Sequence, residues 1–110
     1  MIAHLKDGGY LSEARFASGF LRSRLRKGEA PWLAARKARQ RGVKEDAIEH
    51  ALDEAEVSFD AFSACLSLLG RRDPHNLRFT DERVWQRQAR YLRNKGYDTA
   101  TILRCLNEKP

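Results

Sequence analysis

An all-α fold built from tandem three-helix, helix-turn-helix-like repeats is predicted by three observations. The first is an internal echo: RQRGVKEDAIEHAL, Arg39 to Leu52, returns as RNKGYDTATILRCL, Arg93 to Leu106. In both copies a basic helix end meets a glycine, Gly42 or Gly96, and a second helix follows. The aliphatic positions of that second helix coincide, Ile48 with Ile102, Ala51 with Cys105 and Leu52 with Leu106. A repeated supersecondary unit marks a stacked helical array rather than one enzyme-like core. The second observation is that helical periodicity covers nearly the whole chain, whereas no strand-like alternation lasts four residues. The third is glycine punctuation, which ends helices without steric cost because glycine enters the left-handed region freely.

Element by element, the pattern predicts seven helices. A short one, about Ile2–Asp7, stops at Gly8-Gly9. Ser12 then caps a helix over about Glu13–Lys27, with Phe16, Ala17, Phe20, Leu21 and Leu25 on a broad apolar face and Arg15, Arg22 and Arg26 opposite. Gly28 stops that helix, and Pro31 starts the next in a first-turn position. Its inner stripe is Ala34, Ala35 and Ala38, and it ends at Gly42. An acidic helix, about Lys44–Glu56, turns Ala47, Ile48, Ala51, Leu52 and Ala55 inward. Ser58 opens a helix bearing Phe59, Phe62, Cys65, Leu66 and Leu69, which ends near Gly70. RRDPHNLRF, Arg71 to Phe79, is the one real loop. Thr80 caps the following helix, with Asp81 and Glu82 in its first turn. Val84, Trp85, Gln88, Ala89, Tyr91 and Leu92 cluster on one side of it, and Arg83, Arg87 and Arg90 line the other. After Gly96, Asp98–Glu108 forms the last helix. Two full units result, 12–57 and 58–110, preceded by residues 1–11 as the leftover helix of a further repeat. Phe16, Phe20, Leu21, Ile48 and Leu52 are expected in the middle core, and Trp85, Leu92, Ile102 and Leu106 in the last. Trp32 flanks the alanine stripe, where surface and core both fit.

The chain has 110 residues, one domain's worth, and a net charge of +6. No apolar run is long enough to span a membrane, and Met1–Gly9 lacks the apolar segment of a signal peptide. Cys65 and Cys105 have no second ligand at metal spacing, so they read as small core residues of a reduced, cytoplasmic protein. His4, His50 and His75 are scattered, and no phosphate-cradling glycine motif occurs. The sequence therefore offers no catalytic, cofactor or metal site. Its charge is unevenly placed. Arg15–Arg41 carries a balance of +8, Lys44–Asp60 of −6 and Arg71–Lys95 of +5. Such basic blocks suit an anionic partner, nucleic acid or acidic protein. Arg83, Arg87 and Arg90 repel one another by a few tenths of a kcal/mol per i,i+4 pair, a cost that an anionic partner offsets. Arg36, Lys37, Arg39 and Arg41 form a second basic cluster.

GYLSEARFASGFLRSRLRKGEAP, Gly9 to Pro31, resembles the central signature of the RecX regulators of the RecA recombinase. RQRGV, Arg39–Val43, fits that family's next turn, and WQRQARYLRNKGY, Trp85–Tyr97, is similar to its C-terminal arginine helix. The resemblance covers about residues 2–107. It implies three-helix units, no enzymatic activity, and binding to the RecA filament on DNA with damping of its ATPase, strand exchange and co-protease activities. Regulation of DNA repair, recombination and the SOS response follows from that role. Three departures stand out. Only the last helix of the N-terminal unit is represented. Ala34 and Ala38 replace larger aliphatics, so the middle unit is expected to pack loosely. Arg36 and Lys37 replace residues that are often Gln and Glu, which favours direct phosphate contact.

Two functions compete on these residues. In one, a monomeric modulator lies along a nucleoprotein filament and touches DNA weakly or through the filament. In the other, the chain is a general helix-turn-helix DNA binder with Lys44–Glu56 or Asp98–Glu108 as recognition helix. Phosphates would repel the first of these helices, and the second has few bases. The residues expected to meet acidic protein or phosphate are Arg15, Arg22, Arg26, Lys27, Arg36, Lys37, Arg39, Arg41, Arg83, Arg87, Arg90 and Arg93.

Overall fold

A computed structural model of the chain describes the backbone of residues 2–109 and the side chains of residues 12–109. In order, the elements are α1 (Ile2–Arg26), α2 (Pro31–Gln40), α3 (Glu45–Glu56), α4 (Ala61–Arg72), a 3-10 turn (Leu77–Phe79), α5 (Glu82–Asn94) and α6 (Thr99–Leu106). The all-α class is as expected. The count is not, because the two helices expected before Gly28 are one. Gly8 and Gly9 lie inside α1 with helical backbone. A glycine in a helix interior costs only about 1 kcal/mol relative to alanine, which breaks a helix only where the chain must also turn. Ser12 accordingly caps nothing, and the expected short helix Ile2–Asp7 is the start of α1. The packing of Ile2, Leu5 and Tyr10 lies outside the described residues.

The chain forms two compact units, Met1–Ser58 and Phe59–Pro110. In the first, α1 packs on α2 and α3, and α2 on α3. Its buried cluster is Ala17, Leu21, Ala34, Ala35, Ala38, Ala47, Ile48 and Ala51. Six of these eight are alanine, so the three helices approach closely and each contact buries little. An alanine methyl gains ~0.8 kcal/mol on burial, against roughly 2 kcal/mol for leucine. The departure at Ala34 and Ala38 thus yields a thin core, but a closed one, since both are fully buried. Phe20, Leu25, Leu52 and Ala55 pack at its edge. Phe16 is not part of it. It is 48% exposed, because α1 buries the narrow strip through Ala17 and Leu21 and Phe16 falls beyond its edge.

In the second unit α4 packs on α6 and α5, while α5 also meets α6 and the 3-10 turn. Cys65, Leu68, Leu69, Leu92, Tyr97, Ile102, Cys105 and Leu106 are buried. Trp85, expected in this core, is only half-buried at its rim. Gln88 is buried on α5, and its Oε1 has no hydrogen-bond partner. Cys65 and Cys105 are free thiols. Burial raises the pKa of both and keeps them protonated.

The sequence echo has a structural cause. Gly42 and Gly96 adopt left-handed backbone, with φ of 84° and 97°. At the first turn the Val43 amide donates to the Ala38 carbonyl at 3.2 Å and the Gly42 amide to Arg39 at 3.0 Å. At the second, Tyr97 donates to Leu92 at 3.3 Å and Gly96 to Arg93 at 3.0 Å. These are matching Schellman caps, which satisfy the last carbonyls of one helix and aim the chain into the next. The same pattern closes α1 at Gly28, and Pro31 opens α2 as expected.

Three boundaries differ from the sequence reading. Helix α4 begins at Ala61, with Asp60 at its N-cap position accepting from the Ser63 hydroxyl, not at Ser58. It also runs through Gly70 to Arg72. Helix α5 is capped by Asp81, whose carboxylate accepts from the Arg83 amide at 2.9 Å, while the Thr80 hydroxyl donates to the Leu77 carbonyl. The expected loop 71–79 is therefore mostly structured. At its centre Arg78 and Asp73 form a buried ion pair at 3.0 Å. Arg78 also donates to the carbonyls of Leu106 and Glu108, each at 2.9 Å, so a side chain in the loop caps the end of α6.

Candidate nucleic-acid and partner interface

Helix α5 builds the most coherent basic surface. It is strongly amphipathic: Gln88 and Leu92 are buried, while Arg83, Arg87, Arg90 and Arg93 are exposed. Side chains at i, i+4 and i+7 share one face, so Arg83, Arg87 and Arg90 form a ridge, and with Glu82 and Gln86 they line one shallow groove of about 400 Å³. None of these arginines has a carboxylate partner among the described residues. Asp81 and Glu82, which could neutralise them, sit at the helix N-terminus, where the helix dipole favours negative charge.

The first unit divides its cations. Arg22 and Arg26 border a groove of about 550 Å³ between α1 and α3, with an apolar floor of Leu21, Leu25, Ala51 and Ala55. Arg15 and Arg22 border a second depression with His50 and Glu54. His50 is exposed on the outer face of α3, 3.7 Å from Glu54. Arg36 is exposed on α2, and Lys27 is exposed beyond α1. Other expected contact residues are engaged within the fold. Lys37 bonds the buried carboxylate of Glu29, which Arg24 also approaches at 3.6 Å. Arg39 grips Glu45 through two hydrogen bonds of 2.8 and 2.7 Å. That bidentate contact is the main reason the Glu45 pKa is lowered. Arg41 lies over the Phe20 ring, 5.2 Å from its centroid. The basic cluster at 36–41 is thus partly a clamp holding α2 to its neighbours.

Several stacked cations escaped sequence reading. Arg72 lies 4.1 Å from the centroid of Tyr91, and Arg104 at the same distance from Phe62. These pairs join distant parts of the sequence and leave no local signal. Arg24 over Phe20, at 5.4 Å, is an i,i+4 pair that helical spacing could have shown.

As a helix-turn-helix, either unit would offer its third helix to a DNA groove. Helix α3 presents Glu45, Asp46, Glu49, Asp53, Glu54 and Glu56 to solvent. Helix α6 presents Arg104 alone among cations, and that guanidinium is stacked on Phe62. Neither face matches the polyanionic duplex. Among the described residues there is no group of His, Cys, Asp and Glu able to hold a metal ion. No described helix is long and apolar enough to cross a membrane.

Residues 12–52 match the family described as RecX, second three-helix domain. The matched segment is α1 from Ser12 onward together with α2 and most of α3. A regulatory protein RecX of Halorhodospira halophila is 37% identical over 93 residues, covering 84% of this chain and 56% of the relative. A regulatory protein RecX of Escherichia coli is 29% identical over 97 residues, covering 88% of this chain and 57% of the relative. The chain thus spans just over half the length of these curated relatives. No solved structure matches it. On these matches the chain belongs to the RecX family of regulatory proteins.

Proposed function

We propose that the chain is a non-enzymatic modulator of the RecA recombinase. In this reading it binds the RecA–DNA nucleoprotein filament and damps its ATPase, strand-exchange and co-protease activities, and so regulates DNA repair in the cytoplasm. The observation that carries the reading is the ridge of Arg83, Arg87 and Arg90, exposed and without carboxylate partners among the described residues. A filament offers acidic protein surface and contiguous phosphate together, and both attract such a ridge. The acidic outer face of α3 supports the same choice. It repels naked DNA but tolerates a mixed protein surface, so the general DNA-binding alternative is disfavoured. Arg15, Arg22, Arg26, Lys27, Arg36 and Arg93 supply further cations to this partner, while Lys37, Arg39 and Arg41 contribute field rather than direct contact.

Co-sedimentation tests the reading. The protein is expected to pellet with RecA filaments on single-stranded DNA at physiological salt and to bind the same DNA alone much more weakly. Equal affinity for the bare strand and for the filament would leave a general DNA binder.

A further inference from the structure

The exposed ring of Phe16 is unused by the reading above. Phe16 lies on α1 with 48% of its surface open, the sort of exposure a core phenylalanine does not have. Its inner face stacks on Phe20, with centroids 5.8 Å apart and planes inclined by 29°. The Phe20 ring also carries the guanidinium groups of Arg24 and Arg41, at 5.4 and 5.2 Å from its centroid. Helix α1 and the C-cap of α2 thus assemble one cluster, an open ring on a second ring that two cations contact. Cations over an aromatic ring hold its geometry by attraction to the ring face.

The surroundings keep the outer face of Phe16 accessible. The positions that follow it on the same helix face are Gly19 and Ser23, at i+3 and i+7. Neither carries a side chain long enough to cover a ring. The nearest carboxylate in the helical register, Glu13, is turned to the start of α3, where it accepts from the Lys44 amide at 2.7 Å. The charge beside Phe20 remains positive. Glu29 shares a single negative charge between Arg24 and Lys37, and Arg41 has no carboxylate partner among the described residues.

We infer that Phe16 is a stacking platform for an unpaired base of single-stranded nucleic acid, with Arg24 and Arg41 attracting the adjoining phosphates. Aromatic faces interleaved with cations are how proteins hold single strands without reading sequence, because every base has a π-face. A duplex keeps its bases stacked on one another and offers none to the ring. An apolar protein segment would cover Phe16 equally well, but it gains nothing from two guanidinium groups, whereas a nucleotide uses ring and charge together. The inference deepens the proposed function by naming the state of the DNA that one face of the first unit would meet.

The test is fluorescence anisotropy of the protein alone with three labelled probes: an oligothymidine of about 15 nucleotides, a matching abasic strand and a duplex. The wild type is expected to prefer the oligothymidine to the abasic strand on the order of tenfold, the effect of one stacked base. Phe16→Ala removes that preference and leaves abasic binding unchanged, with an unaltered circular dichroism spectrum. Phe16→Tyr retains it. The inference is overturned if the wild type shows no preference, or if Phe16→Ala weakens both single strands equally or neither. Loss of filament binding by Phe16→Ala with oligothymidine binding intact would likewise overturn it and assign the face to a protein partner. Failure here is separable from failure of the proposed function. A wild type that slows filament ATP turnover, combined with an inert Phe16, rejects the platform alone. A Phe16-dependent preference in a protein without effect on the filament rejects the modulator reading alone.

Discussion

Replacing Arg78 by alanine should cost the second unit more than any other single change to its charged residues. Arg78 is 6% exposed and Asp73 4%. Its guanidinium donates to Asp73 at 3.0 Å, Asn76 at 3.1 Å, and the carbonyls of Leu106 and Glu108. Truncation leaves the Asp73 carboxylate buried with only the amides of Leu77 and Arg78 as donors, at 2.8 and 3.2 Å. It also strips the donors from the last turn of α6, a helix of eight residues that is too short to be stable alone. Breaking a buried pair from one side typically costs about 3–5 kcal/mol, and the multiple bonds place Arg78→Ala within that range. The pair also predicts a pH dependence. Burial tends to raise the Asp73 pKa, but the Leu77 and Arg78 amides and the guanidinium together hold it below the usual aspartate value. The stabilisation is therefore complete above the ordinary aspartate pKa and is lost as pH falls through the folded-state value. Urea melts followed by circular dichroism, at neutral pH and under acid conditions, measure both effects. A loss below about 1 kcal/mol at neutral pH would refute the assignment of Arg78 as the clasp of α6. An acid dependence unchanged by the substitution would refute the linkage.

Two further substitutions probe the folded framework. Leu92→Ala removes a fully buried side chain of α5 and should cost about 2–4 kcal/mol in a denaturant melt; a change below about 0.5 kcal/mol would mean that the site faces water. Gly42→Ala meets no neighbour within 4 Å, so its cost is backbone strain at a φ of 84° alone, about 1–2 kcal/mol. An unchanged melting temperature would show that the turn does not need its left-handed residue.

What could be seen in the sequence was what depends on neighbours a few residues away. The Schellman turns at Gly42 and Gly96 need only a helix, a glycine and the following residue, so they were visible as an echo. The buried faces of α2, α3, α5 and α6 follow from period alone. Gly8-Gly9 misled because glycine marks a helix end only where the chain turns, and the fold asks for no turn there. A helical wheel places Phe16 in the core because it shows a broad apolar face, whereas the width of the buried strip is set by how closely α2 and α3 approach. Most of the alanines that permit that approach, Ala34, Ala35, Ala38, Ala47 and Ala51, lie on those two helices. The Asp73–Arg78 clasp looks like loop in the sequence because the carbonyls that Arg78 reaches, Leu106 and Glu108, come 28 and 30 residues later. Among the candidate contact residues, the α5 ridge was legible from spacing. The engagement of Lys37 by Glu29 was not, since Glu29 reads as an ordinary surface acid in a turn.

The modulator reading is tested most directly by ATP turnover of RecA filaments on single-stranded DNA, with the wild type and with Arg83→Glu/Arg87→Glu/Arg90→Glu. The wild type is predicted to slow turnover. The reversed ridge should lose that effect with its circular dichroism unchanged, and the salt dependence of filament binding should flatten by roughly one unit of slope per lost phosphate contact. Turnover untouched by the wild type, or slowed equally by the reversed variant, would contradict the assignment of the α5 ridge to a RecA–DNA filament.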